Sequence, residues 1–151
     1  MWSQSDNGKG LEWEDALVYA ETSELSGYTD WRLPNIKELQ AVVDYSRSPT
    51  ATDGANIGPA IDPLFTVSQI TSEAGYDDYP YYWSSTSAYF STESPGYYYG
   101  WYVAIGRAVN DEGEDFHGAG AVRFDTKYEG GAASEDAERY YNYVLLVRDA
   151  N

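Results

Sequence analysis

Apolar residues at Trp13, Ala16, Leu17 and Ala20 fall at i, i+3, i+4 and i+7, and predict an amphipathic helix over residues 11–25. Glu12, Glu14 and Asp15 crowd its first turn, where the helix dipole favours negative charge, and Gly27 is the expected stop. A second helix is punctuated more clearly. Pro34 blocks helix upstream, Asn35 is a good N-cap, and Glu38 stands at the third helical position to complete a capping box. Ile36, Leu39, Val42 and Val43 form its apolar stripe, which should end near residues 44–46. Residues 47–63 are rich in Ser, Pro, Thr, Gly, Asp and Asn and read as a long loop, closed by a short turn at 61–64 that packs Leu64 and Phe65 inward. Beyond it the period changes to two. Residues 81–86 read as a strand. Residues 98–107 form the clearest one, with Trp101, Val103 and Ile105 alternating with Tyr102, Ala104 and Gly106. The turn between these strands is expected at 90–96, further strands at 119–124 and 141–148, and an exposed acidic loop at 128–138. Helices first and strands afterwards predict an α+β domain with an antiparallel sheet.

Length and composition narrow this picture. The 151 residues make a single domain with room for a real core, and a 42% apolar fraction excludes a disordered chain. Much of that fraction is aromatic, with 16 Tyr, 5 Trp and 4 Phe, which suits half-buried positions and binding surfaces equally. Asp and Glu number 25 against 9 Lys and Arg, for a net charge of −16. The basic residues are scattered singly from Lys9 to Arg148, so neither nucleic acid nor an anionic membrane is an expected partner. Adaptation to high salt and binding of divalent cations are the readings such a surface leaves. Cysteine is absent, which excludes disulfides, thiolate metal sites and Cys nucleophiles. No apolar run approaches the ~20 residues of a membrane span. The opening Met1-Trp2-Ser3-Gln4 lacks the basic and apolar segments of a signal peptide, and reads as the start of a mature module.

Three stretches resemble a known family: Tyr28-Thr29-Asp30-Trp31-Arg32-Leu33-Pro34-Asn35 with Lys37-Glu38-Leu39, then Tyr82-Trp83-Ser84-Ser85-Thr86, then Tyr141-Asn142-Tyr143-Val144 through Val147-Arg148. Together they resemble the C-terminal domain family of the Legionella collagen-like adhesin, over nearly the whole chain. One departure is Leu145-Leu146, where family members often carry a Cys. The resemblance implies a C-type-lectin-like fold, with first and last strands paired and two helices flanking a small twisted sheet. It also implies an extracellular or cell-surface bacterial protein, an adhesin or a module of one, and, for the namesake, trimers that bind sulfated polysaccharides. A sulfated glycan calls for a basic surface, so the fold and the location carry over and the ligand stays open.

Candidate chemistry is weighed against plainer roles. Asp30, Trp31, Arg32 and Glu38 suit ion pairing, packing and capping better than acid–base catalysis. Among the tyrosines that crowd residues 76–99, alternation sends about half inward. Tyr81, Tyr82, Tyr89, Tyr97, Tyr98 and Tyr99, with Trp101 and His117, are the candidate ligand-binding residues. Asn110, Asp111, Glu112, Glu114 and Asp115 form an acidic turn around Gly113 that would suit Ca²⁺, helped by Asp6 or Asp77-Asp78, or would simply be a solvated loop. His117 has no sequence neighbour in the spacing of a catalytic triad, and the cysteine-dependent chemistry of the formylglycine-generating enzymes, which share related lectin-like folds, has no residues here. The expected function is non-enzymatic: an extracellular adhesion module binding a glycan, possible Ca²⁺ included, or alternatively a protein-interaction or oligomerisation module.

Overall fold

Helix α1 spans Trp13–Glu21, shorter than the apolar period suggests. Its last turn is ended by hydroxyls: Thr22 Oγ1 donates to the Val18 carbonyl at 2.7 Å and Ser23 Oγ to the Tyr19 carbonyl at 2.6 Å. Gly27 therefore shapes a separate turn, in which Ser26 (φ 55°) and Gly27 (φ 79°) fold Tyr28 back onto Leu25. Helix α2 spans Ile36–Ala41 behind the complete capping box, with Asn35 Oδ1 accepting the Lys37 and Glu38 N–H and Glu38 Oε2 accepting the Asn35 N–H. It stops at Val42 rather than at 44–46, because Val43 leaves the helix to bridge Ile61 while the Asp44 N–H donates to Ala60. The computed structural model describes residues 1–72, 74–89, 97–132 and 139–149; the turn expected at 90–96 and residues 133–138 of the acidic loop expected at 128–138 lie outside them.

The strands are β1 (Ile70–Thr71), β2 (Asp77–Asp78), β3 (Tyr81–Ala88), β4 (Tyr99–Ala104) and β5 (Val122–Thr126). β1 and β2 form a two-residue antiparallel ladder absent from the sequence expectation. β3, β4 and β5 form the main antiparallel sheet in that order. β5 begins later than residue 119 because Gly118 and Gly120, both at positive φ, turn the chain first. Leu64 was expected inside and is 77% exposed, since Asp62 Oδ1 takes its N–H and turns it outward; Phe65 alone packs, edge-on against Trp2.

The pleat divides the core in two. Tyr81, Trp83, Tyr102 and Ala104 face Ala16 and Ala20 of α1, whereas Tyr82, Val103 and Ile105 face Leu39 of α2. Both faces of the sheet are thus covered. Residues 141–148, expected as a strand, change partner along their length and form isolated bridges: Asn142 with Leu11, Tyr143 with Tyr82, and Val147 with both Trp2 and Arg32. The two ends of the chain meet, with the Met1 ammonium donating to the Arg148 carbonyl at 2.6 Å.

The register of β3 against β4 shifts between Trp83 and Ser87, where β3 carries two extra residues. That bulge is stitched outward on every side. Ser84 Oγ donates to the Trp101 carbonyl, the Ser84 carbonyl receives the Trp13 indole N–H, the Ser85 N–H donates to Pro34, and Thr86 Oγ1 receives the Ile36 N–H. Arg32 grips Glu38 with two 2.8 Å bonds, and Arg148 grips Asp30 at 2.7 and 3.0 Å with its guanidinium 3.8 Å over the Tyr28 ring.

The Arg32 guanidinium holds the Glu38 carboxyl below its ordinary pKa, against a smaller opposing effect of burial. As pH falls, an unfolded Glu takes its proton first, so this stabilisation is complete above the ordinary Glu range and drains away as pH falls through the lower folded value. Glu38→Gln keeps the oxygen that caps Asn35 and removes the charge. It should cost about 0.5–1 kcal/mol at pH 7 for a pair this exposed, and close to nothing at pH 3. Urea melts of both proteins at the two pH values check this; an equal deficit at both would contradict it.

Candidate functional site

The main hairpin places aromatic rings at the end where its two strands are connected. β3 ends at Ala88 and β4 begins at Tyr99, and the flanking Tyr89 (53% exposed) and Tyr97 (60% exposed) meet with ring centroids 4.9 Å apart. Tyr98 lies edge-on to Tyr99 at 6.2 Å, and Tyr99 and Trp101 both pack edge-on against Phe124 of β5, at 5.2 and 5.5 Å. Beside this row opens a cleft of about 320 Å³ lined by Glu12, Glu14, Tyr97, Tyr98, Lys127 and Tyr128.

Its parts are set by three elements. β4 pairs Tyr99 with Thr126, and the Lys127 N–H donates to the Tyr98 carbonyl, so the residues entering β4 lie beside those leaving β5. The start of α1 is tied to the same place, because the Trp13 N–H donates to the Lys127 carbonyl and the Trp13 indole N–H reaches Ser84. Gly100 makes this approach feasible: a Cβ there would lie 2.9 Å from the Trp13 ring and 3.2 Å from Trp83. The Lys127 ammonium turns inward, 2.7 Å from Ser87 Oγ and 3.9 Å from the Trp13 ring centroid. Burial lowers its pKa, partly offset by Glu14. Glu12 Oε1 accepts the Glu129 N–H at 2.9 Å, and Tyr141 donates its hydroxyl to Glu129, which fixes the adjoining wall. Exposed rings, two carboxylates and one inward-turned ammonium can stack on an apolar ligand face and accept hydrogen bonds from its hydroxyl or amino groups.

The residues expected at a ligand site divide sharply. Tyr97 and Tyr98 line the cleft and Tyr89 adjoins it, while Tyr99 and Trp101 are half-buried along Phe124. Tyr81 and Tyr82 are corrected to core residues, since both sheet faces are covered; Tyr82 is 1% exposed and donates its hydroxyl to Asp6 at 2.8 Å. His117 does not line the cleft; it packs edge-on to Phe116 in the loop after β4. In the same loop Asn110 organises the turn, its Oδ1 accepting the Glu112 and Glu114 N–H and its Nδ2 donating to Glu112. Asp115 Oδ1 accepts the Ala108 and Gly118 N–H, and Asp111, Glu112 and Glu114 project from an exposed turn. Among the described residues no three His, Asp or Glu side chains converge in the manner of a metal site. Asp6 and Asp78, expected as helpers, are committed elsewhere: Asp6 to Gly8, Ser68 and Tyr82, Asp78 to Tyr79 and Arg107.

Glu12, Glu14, Lys127 and Tyr128 went unseen in the sequence. The two glutamates already had a reason to stand at a helix start, and the pairing of Lys127 with Tyr98 depends on a register no local pattern announces. The described residues form further recesses. One of about 440 Å³ is walled by Ser3, Asp6, Tyr19 and Ser23, and one of about 330 Å³ by Tyr81, Arg139, Tyr140 and Tyr143, with the Arg139 guanidinium stacked 4.6 Å over Tyr81.

The profile of the Lcl C-terminal domain matches residues 1–148. The chain belongs to the Lcl C-terminal domain family. Comparison with curated proteins and with solved structures returns no match. In this Lcl C-terminal domain no described helix is long and apolar enough to cross a membrane. The stretches that carry the resemblance coincide with the stitched knot of the fold, at Arg32, the 84–86 bulge and Val147, and not with the lining of the cleft.

Proposed function

We propose that this Lcl C-terminal domain is a non-catalytic, extracellular ligand-binding module of an adhesin-type surface protein, with a C-type-lectin-like fold, and that it takes carbohydrate at the aromatic cleft. The pairing of the first and last segments, and the helices on either face of a small sheet, support the fold assignment. The observation that carries the functional reading is the cleft itself: Tyr97, Tyr98 and Tyr128 beside Glu12 and Glu14, around a volume suited to one or two sugar rings. Tyr rings stack on the C–H faces of a sugar and lose little entropy in doing so, and the carboxylates accept from its hydroxyls.

A glycan array probed with the purified domain, once with millimolar Ca²⁺ and once with chelator, tests this. Binding to one coherent sugar class that survives chelation is expected, because the cleft residues are not arranged around a cation. Binding that vanishes with chelator would move the site to the loop at 110–115. Silence in both arms would overturn the carbohydrate reading in favour of a protein partner or self-assembly.

A further inference from the structure

Resting on the reading of the cleft as a sugar site, we propose that the sugar it selects carries a protonated amine, as in a deacetylated aminosugar chain. The chain's charge of −16 repels sulfated and carboxylated polymers and draws cations towards it. Locally, the cleft offers three tyrosine rings, whose faces attract ammonium groups, and two carboxylates. Glu14 is exposed and makes no hydrogen bond or ion pair among the described residues, and Glu12 spends one oxygen on the Glu129 N–H.

The floor of the cleft already holds one ammonium in this manner. Lys127 sits 3.9 Å over the Trp13 ring centroid and hydrogen-bonds Ser87 Oγ, so the chain's own amine occupies an aromatic and hydroxyl seat of the kind a ligand amine would meet at the mouth. Because that amine turns inward, the two glutamates dominate the outer wall. A neutral sugar would stack equally well on the rings but would bring no charge to Glu12, and would leave Glu14 with only the Lys127 ammonium. A sulfated one would face them directly, with like-charge repulsion.

The test is a calorimetric titration of the domain with glucosamine oligomers, their N-acetylated twins and heparin oligosaccharides, at low and physiological salt. The amine form should bind at least about tenfold more tightly than its N-acetylated twin, the worth of one charge-assisted hydrogen bond. The gap should narrow as salt rises. Glu12→Gln with Glu14→Gln should erase the preference, weakening the amine form far more than its N-acetylated twin until the two affinities meet. Gln at 12 keeps the oxygen that accepts the Glu129 N–H, and the single Glu14→Gln variant, expected to halve the preference or more, guards against a folding defect in the double one. Equal affinity for the twins, or tighter heparin binding, overturns the amine proposal and leaves a carbohydrate site standing. A folded domain that binds none of these and no sugar on the array loses both readings together.

Discussion

Trp83→Ala lowers folding stability by about 3–5 kcal/mol, a large part of the roughly 5–15 kcal/mol available to a domain of this kind. Trp83 is wholly buried at the centre of β3 and packs edge-on against Tyr102 at 6.0 Å. Its indole N–H donates to the Leu11 carbonyl at 2.8 Å, so the same side chain joins the sheet to the segment that pairs with Asn142. Its backbone N–H donates to the Tyr143 carbonyl at 3.1 Å, which ties in the C-terminal segment. Removing the ring leaves a cavity between α1 and the sheet and takes one of two donors from the Leu11 carbonyl, which keeps the Asn142 N–H. Trp83→Phe keeps most of the packing and should cost less, about 1–2 kcal/mol for the lost hydrogen bond and the smaller ring. Chemical denaturation of the three proteins reads this directly; an alanine variant within 1 kcal/mol of the parent would contradict the placement of Trp83 at the centre of the fold.

The α+β class, the existence of both helices and the face assignments along β4 were legible because each rests on local period or punctuation. The capping box at Asn35 and Glu38 is the clearest case, since both bonds form between residues three apart. What was not legible depends on partners distant in sequence. Residues 141–148 have strand-like composition, yet they take Leu11, Tyr82, Trp2 and Arg32 as partners in turn and so never form one ladder. Tyr81 and Tyr82 looked like halves of an alternating surface strand. They are both buried because α1 and α2 cover opposite faces, a fact no single strand records. The acidic run at 110–115 could be read as metal ligands or as a turn, and Asn110 and Asp115 spend their oxygens on backbone N–H groups of that turn. The family motifs were visible for a related reason. They hold the fold together and so mark membership, whereas the cleft is lined by residues outside them, such as Glu12, Tyr97 and Tyr128.

The second large effect is on binding. Tyr97→Ala with Tyr98→Ala should weaken carbohydrate binding by about 100-fold, from the loss of two stacking faces at about 1–1.5 kcal/mol each. The fold should tolerate it, because Tyr97 is 60% exposed and neither ring belongs to the buried clusters, while Trp13, Lys127 and the Tyr98 backbone keep their mutual bonds. As a control, Phe116→Ala removes a still more exposed ring from the loop after β4, outside the cleft, and should leave affinity unchanged.

The decisive measurement is a calorimetric titration of the strongest glycan from the array into the parent domain, the Tyr97→Ala/Tyr98→Ala variant and the Phe116→Ala variant, each with its unfolding transition recorded. Loss of binding confined to the cleft variant, with all three proteins equally folded, is the predicted result. Undiminished affinity in a folded cleft variant would contradict the account and remove the aromatic cleft as the place where this domain meets its ligand.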